Sequence, residues 1–153
     1  MGDESMRMME LGFQGYSCSQ ILVLLALEAQ EKSSPELVRA MSGLLAGMGC
    51  GKVCGALTGG CCLLGLYAGK AHPNENADER LQPMLTQFVE WFEHEFTSLY
   101  GGINCAEIVQ DDARLRLFRC PEIVRRTFEK LKEILEENNY DLARPASRAE
   151  GTS

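Results

Sequence analysis

Apolar residues recur along this chain at intervals of three and four, the spacing of one helix face. Alternating β-branched and polar residues, which mark a half-buried strand, are nearly absent. The pattern predicts an all-α protein: a compact single-domain bundle of about five to six helices over residues 1–138, then a mobile C-terminal tail at 139–153 where periodicity is lost.

A first helix is expected over residues 4–11, with Met6, Met9 and Phe13 near one face and Gly12 and Gly15 ending it. Residues 18–30 carry Ile21, Leu22, Leu24, Leu25 and Leu27 with little polar surface, so this helix should run through the core. Ser34-Pro35-Glu36 reads as a helix start, the serine accepting from free amides and the proline presetting φ. That helix should continue through Leu37, Met41, Leu44 and Leu45 until the glycines of Gly47-Met48-Gly49-Cys50-Gly51 stop it. A fourth helix runs from near Cys54 to Ala68, and a fifth over residues 78–99 lines up Leu81, Leu85, Phe88, Phe92, Phe96 and Leu99. Pro83 must fall in its first turn, or the helix starts later. A short helical turn begins around Cys105, and the last helix starts at Cys120-Pro121-Glu122, burying Val124, Phe128, Leu131 and Leu135.

With 153 residues the chain is long enough to bury roughly 70% of its unfolded surface without covalent staples. Its 22 acidic and 15 basic residues give a net charge of −7, which repels phosphate backbones and anionic lipid, so no nucleic-acid partner is expected. Residues 53–69 are the longest weakly polar run, but they barely reach a membrane span and hold five glycines and three cysteines. No membrane insertion is expected, and the stretch reads as a core helix with small-residue contacts. The start Met1-Gly2-Asp3-Glu4 is acidic where a secretory signal is basic, which points to a cytoplasmic protein. In that reducing compartment seven cysteines read as free, metal-binding or redox-cycling thiols rather than a disulfide framework.

Cys18, Cys54, Cys105 and Cys120 share a position type, each at or just before an expected helix start. A helix N-terminus offers free amides and partial positive charge, both favouring thiolate. The dipole alone supplies about 0.3–1 kcal/mol, less than one pKa unit, so strong reactivity needs a further cation or hydrogen bonds. Lys52 is the cation nearest Cys54 in sequence, and Gly55 and Gly59, one turn apart, let another backbone or a small ligand approach. Cys61 and Cys62 fit core filler, and Cys50 lies between the two kinds. No CxxC spacing is present, so neither a thioredoxin-type site nor a common zinc module is signalled locally. His94 on a charged helix face reads as solvated, His72 lies in a loop, and the methionines read as adaptable core.

Gly15-Tyr16-Ser17-Cys18-Ser19-Gln20, Gly47-Met48-Gly49 leading into Cys54-Gly55-Ala56-Leu57-Thr58-Gly59, Tyr100-Gly101-Gly102 before Cys105-Ala106-Glu107, and the isolated Cys120 make an ordered set. On these residues, over roughly residues 13–131, the chain resembles the C_GCAxxG_C_C family, whose shared cysteines are taken as redox-active. The resemblance implies a helical protein in which Cys18, Cys54, Cys105 and Cys120 are the common set, while Cys50, Cys61 and Cys62 are additions. It contributes a class of chemistry and not a reaction.

Three functions compete. In thiol/disulfide exchange, one thiolate attacks a disulfide of a redox partner protein or small thiol and a second cysteine resolves it; Cys54 is expected to attack, with Cys18, Cys105 and Cys120 as candidate resolving thiols. No cofactor is needed for that reading. Alternatively the same four thiolates, Cys18, Cys54, Cys105 and Cys120, hold zinc or an iron-sulfur cluster. The third reading is a non-catalytic scaffold, with the small-residue helix at 53–69 packing on a partner or forming a homodimer.

Overall fold

The computed structural model describes residues 2–144, and among them seven α-helices in the order α1 Gly2–Phe13, α2 Cys18–Ala29, α3 Pro35–Met41, α4 Gly55–Ala68, α5 Leu81–Tyr100, α6 Cys105–Val109 and α7 Ala113–Glu137. A 3-10 turn, Ser42–Leu44, follows α3, so that helix ends short of the expected Leu45. No strand occurs among the described residues; the nearest thing is one antiparallel bridge between Val53 and Asn104.

Helix α4 is the axis on which α2, α5 and α7 pack. Leu63, Leu64, Tyr67 and Ala68 on α4, Phe88, Phe92 and Phe96 on α5, and Leu131, Ile134 and Leu135 on α7 are fully enclosed. The α5 phenylalanines are one turn apart and meet edge to face, with Phe92 and Phe96 centroids 4.6 Å apart. The expected α5 stripe holds at Phe88, Phe92 and Phe96, with Met84 buried beside them, whereas Leu99 at its end is half exposed. Pro83 lies in the first turn of α5, where a missing amide costs no helical hydrogen bond.

The all-α class is as expected, but the count of five to six helices is exceeded. The five-residue α6 is a true helix because Asn104 and Glu107 form a capping box that satisfies its first amides. Helix α1 runs through Gly12 to Phe13; one interior glycine costs only about 1 kcal/mol against alanine, and burial of Met8 and Leu11 offsets it. Ser34 makes no side-chain cap, while Pro35 takes the first helical position as expected.

The largest correction concerns the last helix. It begins at Ala113, where the Asp112 carboxylate accepts the Arg114 N–H at 2.8 Å, and it passes straight through Pro121. Cys120 therefore sits inside α7 and not at a helix start. Beyond α7, the Tyr140 hydroxyl donates to Asp78 at 2.6 Å, the Arg80 guanidinium lies 4.3 Å from the Tyr140 ring centre, and the Tyr67 hydroxyl donates to the Leu142 carbonyl at 2.7 Å. The rest of the expected tail, from residue 145, lies outside the described residues.

Candidate functional site

Between the 3-10 turn and α4 the chain makes a tight left-handed loop: φ is +51° at Ala46, +61° at Met48 and +75° at both Gly49 and Gly51. Glycine adopts such angles freely, whereas Ala46 and Met48 hold them at a cost. The loop lies against α6, and a side chain at Gly51 would come within 3.2 Å of the Ala106 Cβ. At its exit the Cys54 N–H donates to the Ile103 carbonyl at 2.9 Å and the Cys105 N–H donates to the Lys52 carbonyl at 2.7 Å. These two bonds set Cys54, the N-cap of α4, across from Cys105, the first residue of α6.

Cys18 reaches the same place through glycine. It opens α2, whose start is closed by a capping box between Ser17 and Gln20. A Cβ on Gly59 would stand 2.7 Å from the Cα of Ser19, and one on Gly55 would stand 3.7 Å from the Ser19 amide nitrogen. The backbone admitted by this glycine pair is thus that of α2, and the result is that Cys18 is carried to the head of α4. Ser19 is enclosed and its hydroxyl donates to the Met41 carbonyl at 2.9 Å, which fixes α2 against the end of α3.

Cys120 approaches from α7 and lies beside Cys18, so that each thiol influences the ionisation of the other. Their contact has opposite effects on the two groups. It holds Cys18 well above the ordinary thiol range, with burial and the neighbouring Cys120, Cys54 and Cys105 adding to the rise. It draws Cys120 down to about 7, against the opposing effect of burial and with help from the charge of Arg116. Cys54 is pushed up to about 11 by burial, although the Ala56 and Leu57 amides at the start of α4 pull the other way. Among the cleft cysteines whose ionisation is shifted, the direction is upward at Cys18 and Cys54 and downward at Cys120. The cation responsible is Arg116, one turn before Cys120; Lys52 contributes its backbone carbonyl.

All four expected cysteines line a single cleft of about 750 Å³ bounded by α1, α2, α6 and the first half of α7. Cys54 and Cys105 are buried at its floor, and Cys18 and Cys120 are half buried. Around the mouth stand Phe13, Phe118, Leu117, Met9 and Leu45, exposed by 86%, 78%, 74%, 58% and 50%. The other three cysteines are elsewhere. Cys50 is exposed in the glycine loop with its thiol on the Gly47 carbonyl, and Cys61 and Cys62 lie further along α4, both pushed upward by burial. Among the described residues no group of three or more His, Cys, Asp or Glu is set to hold a metal ion. Among the described residues no helix is long and apolar enough to cross a membrane.

Arg116 and the apolar mouth escaped the sequence reading. Arg116, Leu117 and Phe118 precede the start expected for the last helix at Cys120; within the helix that the structure begins at Ala113, Arg116 and Cys120 have the spacing of one turn and face each other.

No curated protein and no solved structure matches this chain. Residues 16–134 match the family model described as "Putative redox-active protein (C_GCAxxG_C_C)", an interval that contains all four cleft cysteines. With its cysteines gathered in order at one cleft and the match extending from Tyr16 to Ile134, the chain belongs to the C_GCAxxG_C_C family.

Proposed function

We propose that this protein carries out thiol/disulfide exchange, with Cys120 as the attacking thiolate and Cys18 as the resolving thiol. The observation that supports this most is the meeting of Cys18 and Cys120 in one cleft, with Arg116 one turn before Cys120. Two thiols in contact carry one negative charge far more readily than two, so one sulfur can attack while its neighbour stays protonated until it is needed.

The Cys120 thiolate attacks one sulfur of a disulfide, forming a mixed disulfide and expelling the second sulfur as a thiolate that takes up a proton. The Cys18 thiol then loses its proton and attacks the Cys120 sulfur. A Cys18–Cys120 disulfide forms and the other substrate sulfur leaves, so two protein thiols are oxidised and one disulfide is reduced to two thiols. No cofactor enters the exchange. Burial of Cys18 raises the energy of a charge on it and so helps to keep it protonated before attack.

The test is mass mapping after the reduced protein meets a small neutral disulfide such as hydroxyethyl disulfide. The expected product is a Cys18–Cys120 link in the wild type, an accumulating mixed disulfide on Cys120 in Cys18→Ser, and no adduct at Cys18 in Cys120→Ser. Oxidation that links Cys54 to Cys105 instead, or four thiols blocked by metal in protein purified without air, would overturn the assignment.

A further inference from the structure

We infer that the cleft takes its disulfide from an extended, apolar polypeptide segment, inserted so that its cysteine reaches Cys120. The inference rests on the exchange reading above for its chemistry but on the shape and surface of the cleft for its substrate.

The reactive sulfurs are recessed. Cys54 and Cys105 are buried and Cys18 and Cys120 half buried, while Phe13, Leu117 and Phe118 project around them with at least 74% of their surface free. Exchange needs one sulfur to reach another in line, so a disulfide on a flat folded surface is held off by these side chains. A second copy of this chain is held off twice, because its own cysteines lie equally deep. A narrow segment can pass between α1 and α7 and deliver one side chain to the floor.

The size of the apolar surface argues in the same direction. The mouth residues line the cleft of about 750 Å³ together with the cysteines, so an occupant that reaches the sulfurs also covers them. The two phenylalanines alone offer on the order of 300 Å² of apolar surface, and Met9, Leu45 and Leu117 extend it. Methionine and phenylalanine adapt to varied apolar neighbours, which suits a segment of loosely defined sequence.

Charge disfavours small anionic disulfides. The chain carries a net −7, and of the two arginines lining the cleft Arg125 is already paired with Glu122 at 2.6 Å and with Glu129 at 2.7 Å, which leaves Arg116 beside Cys120 as the cation a small anionic disulfide would meet there. Apolar walls give a peptide-like disulfide with several carboxylates few partners, whereas a neutral apolar segment loses little on entering.

Two neutral hexapeptides test this, one with its cysteine flanked by leucine and phenylalanine and one flanked by serine and glutamine, each as a mixed disulfide with thiopyridine. The reduced full chain should release thiopyridine from the apolar peptide about tenfold faster, as burial of one large apolar side chain allows. Phe13→Ser with Phe118→Ser should bring the ratio of the two peptide rates to about one; should the pair unfold, Phe118→Ser alone, at a position 78% exposed, serves instead. A labelled copy of the apolar peptide with serine for cysteine should bind wild type and Cys120→Ser alike by fluorescence anisotropy. Binding without exchange keeps the substrate assignment and removes the exchange chemistry. Equal rates for the two peptides, or no anisotropy change with the apolar one, overturns the inference. So does a dimer that the mouth substitutions dissociate while the peptide preference persists.

Discussion

Val53 and Asn104 face each other across a single antiparallel bridge, and the residue following each is a cysteine of the cleft. No strand extends the pair in either direction among the described residues, so two backbone hydrogen bonds and the cap at Asn104 set where Cys54 lies relative to Cys105. Asn104→Ala removes that cap and should lower stability by about 1 kcal/mol. Native-state alkylation should then label Cys105 faster, with Cys54 following it more weakly; unchanged labelling would mean that packing alone fixes the pair.

The two glycines Gly59 and Gly65 of α4 make a matched experiment. A methyl at Gly59 runs into the backbone of Ser19, whereas one at Gly65 meets nothing within 4 Å. Gly59→Ala should destabilise by about 1–3 kcal/mol as overpacking does and push Cys18 away from Cys54 and Cys120. Gly65→Ala should stabilise by about 1 kcal/mol from helix propensity. Urea denaturation of both variants checks the opposite signs.

Reactivity at Cys120 should follow pH with a midpoint near its depressed value of about 7, slow below and fast above. Cys18→Ala removes the neighbouring thiol that is the chief cause of the depression, so the midpoint should move upward and the rate at neutral pH fall several-fold. Arg116→Gln should move it the same way by less. Iodoacetamide kinetics over a pH series reads both shifts, and a wild-type midpoint in the ordinary thiol range would remove the basis for attack by Cys120.

Asp78 is held below the usual carboxylate range, first by its hydrogen bond with Arg80 and then by the Tyr140 hydroxyl, against the opposing cost of burial. A carboxylate depressed in the folded state stabilises fully above its unfolded pKa, near 3.9, and loses that contribution as the pH falls through the folded value. Asp78→Asn should therefore cost about 2 kcal/mol at neutral pH and progressively less below pH ~4. Thermal melts at the two pH values measure the difference.

Proline inside a helix removes one hydrogen bond and costs about 3 kcal/mol. Pro121→Ala should accordingly raise stability, and because Pro121 adjoins Cys120 it should also slow or speed exchange at that cysteine. A more stable protein with unchanged Cys120 kinetics would show that the proline has no bearing on the site.

The buried helices were legible because their periodicity is strong: α2 and α5 show it at Leu22, Leu25 and Ala26, and at Phe88, Phe92 and Phe96. Cys18, Cys54 and Cys105 stood out by the turn residues before them, and Cys120 by the proline after it. Two things were not legible. Pro121 has the sequence signature of a first helical residue, so the last helix was expected to start at Cys120 although Asp112 is the true cap. The nearness of Cys18 to Cys120 was also out of reach, because packing alone brings α2 beside α7.

Since Pro121 has no amide proton, the Leu117 carbonyl receives no helical bond from it, and α7 has a joint at that turn. Every buried residue of α7 lies after the joint, whereas Leu117 and Phe118 stand before it in the open. The outer arm is fastened instead by Arg119, which donates to the Ile108 carbonyl at 2.8 Å and lies 4.7 Å from the Tyr100 ring centre, so the doorway and the foundations are held by different fixings.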